Sequence, residues 1–305
     1  MTHCLVLLVQ WNLTSNTCVS HFPDAHELNI SSIVAQHDSK AIFSGSRDYR
    51  VKAWDVEKQC CVVEFSAPRN IVTAMEIDSC GGPLLYQCSE DLSIRVWDTR
   101  SQQKTPSMHI TGFVYFPLCI SLGKNGISLA TGCKGFESVG CEVKLWDLRN
   151  TRQQVSDFKG HTHDVTGCQF SQDSERLVSV SKDGSMYVWN TLLGDGNTST
   201  DSSEVESRAR VASLRTLGKI FTGVAMVEPL EASYAGGANG ALATMHVGAF
   251  DGSVTTVELR PQAADGRAGG GGGLQQMELE LREVATTGAY YAEDGAHDGK
   301  DASAV

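Results

Sequence analysis

The sequence has no apolar run approaching a membrane span, no cluster of Lys and Arg, no C-x-x-C pair and no glycine-rich phosphate loop between a strand and a helix. Each absence removes a class of function. A spanning helix needs about 20 consecutive apolar residues, so direct membrane insertion is not expected, and the chain reads as soluble or held at a membrane by a partner. A formal net charge of −11 repels phosphate backbones, so nucleic acid is not expected as a partner either. The N-terminal "CLVLLV" is too short for a signal-peptide core, has no basic segment before it, and reads as a strand. Ten cysteines without metal-ligand spacing, with Cys61, Cys88, Cys119 and Cys168 inside alternating apolar runs, read as reduced core thiols of a cytoplasmic protein. The sequons at Asn12, Asn29 and Asn197 are then incidental.

What the chain does contain is a period. Its five tryptophans, Trp11, Trp54, Trp97, Trp146 and Trp189, stand 43, 43, 49 and 43 residues apart, and each is followed by Asp or Asn. Asp48, Asp91 and Asp183 each lie six residues before a tryptophan, and His26 and His161 each lie 28 residues before one. Within "GHTHDVTGCQFSQDSERLVSVSKDGSMYVWN" the segments "VTGCQF", "RLVSV" and "SMYVW" alternate as strands, separated by the turns "QDSE" and "SKDG". Four short strands in about 43 residues is the period of a β-propeller blade.

These residues resemble the tryptophan-aspartate (WD) repeat family. The resemblance implies an all-β propeller of four-stranded blades and a structural hydrogen-bonded chain, made here by His26, Ser44, Asp48 and Trp54 in one blade and by His161, Ser179, Asp183 and Trp189 in another. A histidine with both nitrogens committed is a poor base or ligand, and no Ser, His and Asp set remains outside the repeats for a triad. No catalysis, cofactor or metal is expected. The Trp97 blade has "PRNIVT" where the histidine belongs, so its network is expected to be incomplete. The Trp146 blade lacks both His and turn Asp and carries an enlarged loop at 132–140. Residues 217–260 repeat the theme, with Val257 in the tryptophan's place six residues after Asp251.

The resemblance covers a propeller over residues 1–260, as five blades and a half blade around Trp11, with six or seven blades expected in a closed ring. A polar inter-blade loop is expected at 194–210, and a Gly-rich linker and acidic tail at 261–305. The missing inner strands of the half blade suggest an incomplete N-terminus, or closure by the tail. In the tail, "QMELELREV" at 276–284 alternates like a half-buried strand, with a short helix as its rival, since Met, Glu and Leu favour helices.

Two functions fit the residues. The first is a scaffold binding protein or peptide segments, a small molecule being an unlikely ligand. By resemblance its contacts at the mouth of the central channel are Asn29, Ser31, Arg47, Glu90, Asp164, Thr166 and Lys182. The second is a substrate receptor of a cullin-RING ubiquitin ligase, docking through two W-D-x-R boxes: Trp97, Asp98 and Arg100, and Trp146, Asp147 and Arg149. More narrowly, the "GFESVGCE" insert before "LWDLR" resembles a subgroup associated with cilia and intraflagellar transport.

Overall fold

The computed structural model describes residues 6–36, 40–67, 69–78, 81–101, 105–194, 209–227, 242–261 and 279–287. It is built almost wholly of antiparallel strands. A hairpin of β1 (Val6–Asn12) and β2 (Thr17–His26) precedes five four-stranded sheets, each a meander in chain order. The first sheet holds β3 (Ile30–Ala35), β4 (Ala41–Ser46), β5 (Arg50–Asp55) and β6 (Cys60–Ser66). The second holds β7 (Val72–Ile77), β8 (Leu84–Ser89), β9 (Ser93–Asp98) and β10 (Met108–Ile110). The third holds β11 (Pro117–Leu122), β12 (Ser128–Cys133), β13 (Val143–Asp147) and β14 (Asn150–Phe158). The fourth holds β15 (Val165–Phe170), β16 (Arg176–Ser181), β17 (Ser185–Asn190) and β18 (Arg210–Arg215). The fifth holds β19 (Phe221–Val227), β20 (Ala243–Ala249), β21 (Val254–Pro261) and β22 (Leu279–Thr287). These are β-propeller blades.

The middle strands are buried on both faces, as "GCEVKLWD" and "RLVSVS" foretell by mixing small and branched apolar residues. Consecutive blades meet through their first strands and share apolar clusters, such as Val143, Phe158, Val165 and Trp189 between the third and fourth. Each tryptophan but Trp11 also packs against a phenylalanine from the chain that precedes its blade: Phe22 against Trp54, Phe65 against Trp97, Phe113 against Trp146 and Phe158 against Trp189, with centroids 5.4, 5.1, 5.0 and 5.2 Å apart. Such pairs add about 0.5–1.5 kcal/mol beyond the area buried.

Every first strand carries a β-bulge at its second residue: Ser31, Thr73, Leu118, Thr166 and Thr222. A bulge leaves that residue out of the ladder and re-aims its side chain. Here it is aimed at the next blade. Ser31 Oγ donates to Val72 O at 2.6 Å, Thr73 Oγ1 to Pro117 O at 2.6 Å and Thr166 Oγ1 to Phe221 O at 2.8 Å. Leu118 has no hydroxyl, and its neighbour Cys119 supplies a thiol 3.6 Å from Val165 O.

Two expectations change. The 276–284 segment is a strand from Leu279 onward, but it does not serve the N-terminal half blade. It runs along β21, with Leu281 opposite Leu259, as the fourth strand of the fifth blade. Leu279 and Leu281 are buried in that blade's core, so the blade continues past residue 261, where a tail was expected. Cys61 is exposed on the outer strand β6, whereas Cys88, Cys119, Cys133, Cys141 and Cys168 are buried. Burial pushes the Cys133 thiol up to about 12, far from the reactive thiolate range.

Removing residues 279–305 strips β22 from the fifth blade and bares the edge of β21. The truncated chain should melt at a lower temperature and self-associate with rising concentration. Calorimetry and sedimentation check this; a monomer with unchanged melting would contradict the placement of β22.

Candidate interaction face

The histidines decide whether the repeats hold chemistry or structure. In the first blade Trp54 Nε1 donates to Ser44 Oγ at 2.8 Å, Ser44 Oγ lies 2.7 Å from His26 Nε2, and His26 Nδ1 lies 2.9 Å from Asp48 Oδ2. A carboxylate only accepts, so the proton sits on Nδ1 and Ser44 donates to Nε2. Asp48 also accepts the backbone N–H groups of Glu27 and Arg50 at 3.1 Å each. The fourth blade repeats the start, Trp189 to Ser179 at 2.9 Å and Ser179 to His161 at 2.7 Å. It then differs. His161 Nδ1 meets Ser185 Oγ at 2.7 Å, and Ser185 donates on to Asp183, which stands 3.9 Å from the ring.

The Trp97 network, expected to be incomplete, is complete with other residues. Trp97 Nε1 donates to Gln87 Oε1 at 2.9 Å, and Gln87 forms an amide pair with Asn70. Arg95 bonds Asn70 Oδ1 at 2.8 Å and pairs with Asp91. Asn70 thus replaces the histidine, Gln87 the serine, and Arg95 carries the chain to the turn. The Trp146 blade retains one link, Trp146 Nε1 to Thr131 Oγ1 at 3.2 Å. In the fifth blade Asp251 binds Lys219 Nζ at 2.6 Å instead of a histidine, and the buried Val257 needs no acceptor.

Protonation follows from these contacts. Burial alone would raise the Asp183 carboxyl, but the nearby His161 ring, Ser185 and the N–H groups of Thr162 and Ser185 outweigh it and hold it well below the usual range. Burial holds His161 below the usual imidazole value against the pull of Asp183. Among the described residues no group of three or more His, Cys, Asp or Glu is placed to hold a metal ion.

The loops leading into the first strands and the turns between second and third strands lie on one end of every blade, because the meander reverses direction at each strand. This upper face carries the expected contact residues. Arg47 Nη1 reaches from the first blade to Glu90 Oε1 of the second at 3.0 Å. Asp164 accepts from Lys182 Nζ at 2.7 Å and from Gly135 N, in the Trp146-blade loop, at 3.0 Å. Asn29 is exposed, and its carbonyl receives Arg47 N at 3.1 Å. Ser31 and Thr166 prove to be the bulge residues whose hydroxyls join blades, so their polar groups are already committed. On the opposite end, the W-D-x-R tryptophans are buried, and the exposed Arg100 and Arg149 fold back onto Asp98 and Asp147 of their own boxes.

The family description "WD domain, G-beta repeat" matches residues 16–55, 59–98 and 152–190. These three segments are WD repeats. Among curated relatives, the WD repeat-containing protein GTS1 of Arabidopsis thaliana is 36% identical over 48% of this chain and 35% of its own length. The Nuclear distribution protein PAC1 of Arthroderma otae is 29% identical over 57% of this chain and 38% of its own. Periodic tryptophan protein 2 of Arabidopsis thaliana is 25% identical over 70% of this chain and 23% of its own. The chain therefore spans well under half the length of these WD-repeat relatives.

Sequence reasoning missed Asn70, Gln87, Arg95 and Ser185. The signal for Ser185 is the serine two residues after the turn Asp183, a place that Arg50 holds in the first blade. Replacing His161 with Ala removes the buried ring that bonds both Ser179 and Ser185 and should cost about 1–3 kcal/mol in chemical denaturation. Acid should also destabilise the fold. Both depressed groups favour their deprotonated form when folded, so their contribution is full above the unfolded values and is lost as pH falls through the folded ones. Stability should decline first below the ordinary His value of 6.5 and again below the ordinary Asp value of 3.8. A denaturation midpoint independent of pH from neutrality to pH 3 would contradict both assignments.

Proposed function

We propose that the chain is a non-catalytic scaffold that holds protein or peptide segments on its upper face. The observation that carries this reading is the Arg47–Glu90 pair, which spans two blades at 3.0 Å while the Arg47 side chain stays half exposed. With Lys182 and Asp164 it gives that face charged groups in fixed positions, suited to orienting a partner. WD-repeat proteins generally act as protein-interaction scaffolds, and the two repeat histidines, His26 and His161, are held in structural bonds at both nitrogens. The net charge of −11 favours protein over nucleic acid as the partner. One relative, from Arabidopsis thaliana, is named U3 snoRNP-associated protein-like EMB2271, and that name describes the relative.

The pathway we propose is ciliary. The run "GCKGFESVGCEVKLWDLR" resembles WD repeat-containing protein 31, a group associated with cilia and intraflagellar transport, and a cytoplasmic, cilium-associated location follows from that resemblance. The ubiquitin-ligase reading rests on the two W-D-x-R boxes, whose exposed Arg100 and Arg149 already bond the aspartates of their own boxes.

In ciliated cells the full chain should be recovered with intraflagellar transport components, and Arg47→Glu together with Lys182→Glu should abolish that capture without altering the melting temperature. Exposed ion pairs contribute only about 0.2–1 kcal/mol, so the fold should survive. Capture retained by this variant would move the site off the upper face. Recovery of a cullin adaptor that is lost in Arg100→Ala/Arg149→Ala would favour the ligase reading instead.

A further inference from the structure

The loop of the Trp146 blade forms a surface that the channel mouth does not include. Residues Phe136 to Val139 close a two-residue hairpin, with Phe136 and Val139 exchanging backbone hydrogen bonds at 3.0 Å each and Glu137 and Ser138 at φ 50° and 66°. Two consecutive left-handed residues define a type I′ turn, a rigid connection. The hairpin is fixed at its base by Lys134 N to Phe116 O at 3.0 Å and Gly135 N to Asp164, and at its tip by Ser138 N to Thr162 O at 3.1 Å. Its apolar side chains nevertheless face water: Phe136 is 62% exposed and Val139 58%. Beside them the Tyr115 ring lies against Gly140, whose φ of +79° excludes a side chain, and Val114 is 75% exposed. Phe136 stacks on His163 at 5.0 Å, which joins the patch to the next blade.

The stretch that carries Val114 and Tyr115 starts at a groove of about 400 Å³ lined by Thr111, Gly112, Trp146, Arg152 and Gln154. Gln154 is held by Lys144 and Asp157, while Arg152 is exposed and has no carboxylate partner among the described residues. At the inner end Lys134 places its ammonium over the Phe116 ring at 4.8 Å and likewise has no carboxylate partner among them. In a chain of net charge −11, Arg152 and Lys134 thus accompany four exposed apolar side chains without a carboxylate partner among the described residues, the exposed Glu137 of the turn being the acid set among them.

We propose that this patch and groove form a second docking site, for a partner protein segment that presents apolar side chains between carboxylates. Exposed apolar clusters of this kind mark interaction sites. Because the hairpin is already ordered, binding costs little conformational entropy. Aromatic anchors such as Phe136 carry most of the energy at such surfaces, and the cations select an acidic partner over a basic one.

The test is a random peptide display library panned on the full chain, with affinities of recovered peptides measured by fluorescence polarisation. Recovered peptides should combine aliphatic or aromatic residues with Asp or Glu. Phe136→Ser and Arg152→Glu should each weaken them about tenfold or more, and Arg47→Glu/Lys182→Glu should leave them unchanged, which separates this site from the channel mouth. Near-UV circular dichroism reports the fold of each variant, and Val139→Ser replaces Phe136→Ser if the latter unfolds. The proposal is overturned by no enrichment, by peptides without carboxylates, or by affinity lost only in the Arg47/Lys182 variant. It is equally overturned by a concentration-dependent dimer that Phe136→Ser dissolves, which would make the occupant a second copy of the chain.

Discussion

A buried indole carries one N–H that cannot be left without an acceptor, since an unpaired buried donor costs more than the hydrogen bond is worth when made. Four blades of this protein are arranged around that need. The acceptor on the neighbouring strand is Ser44, Gln87, Thr131 or Ser179, at distances between 2.8 and 3.2 Å. Each acceptor is placed directly opposite the strand that carries the tryptophan, and its own remaining capacity must then be met. In the first and fourth blades a histidine meets it and hands the demand to an aspartate, directly to Asp48 and through Ser185 to Asp183, which closes on backbone N–H groups. In the second, an amide pair and a guanidinium do the same. The turn geometry, the path of the chain into each blade and the burial of His26, His161 and Asn70 all follow from satisfying this donor.

Blades treat their neighbours less uniformly. Glu76, Ser121 and Gln169, the fifth residues of their first strands, accept the backbone N–H groups of Leu122, Phe170 and Met226 in the following blade, at 3.0, 3.1 and 2.7 Å. The bulge hydroxyls of Thr73 and Thr166 cross two of these boundaries in the opposite sense, and that of Ser31 crosses the one between the first and second blades. In the fifth blade both devices lapse together. Ala225 stands where the acceptor should be, and Thr222 turns back to Gly248 O of its own sheet at 3.1 Å. The linkage that runs through the array thus ends, among the described residues, at a blade with neither outgoing bond. At the other end, β1 and β2 meet the first blade through Phe22 and Ala25, with Trp11 exposed on a strand that has one neighbour.

The fold was legible because its determinants are periodic. Tryptophans at intervals near 43 residues, aspartates six positions ahead and histidines 28 positions ahead locate four blades without coordinates. What escaped was function carried by a different side chain. Asn70, Gln87 and Arg95 share no chemistry with His, Ser and Tyr187, the residues at the matching places of the fourth blade, yet they complete the same circuit, so a search by residue type finds a gap where the structure has none. Alternation announced a strand near residue 280, but alternation encodes which face is buried and not which edge is paired; the partner was decided by the register against Val254–Pro261. The upper-face charges lie on one end of the blades, whereas the bulges that commit Ser31 and Thr166 to blade joining leave no mark in composition.

The phenylalanine that packs on each buried indole comes from the chain before its blade, 31 to 33 residues earlier: Phe22, Phe65 and Phe158 from an outer strand, Phe113 from just beyond one. The unit that repeats in sequence, from 16 to 55, from 59 to 98 and from 152 to 190, therefore begins on one sheet's outer strand and ends on the next sheet's third. Sheet and repeat are out of phase by one strand. During synthesis each Phe emerges before the Trp it will cover, so every newly finished repeat finds its stacking surface already present on the chain behind it. Each blade thus has its stacking surface made before its third strand and its own fourth strand supplied by the repeat that follows.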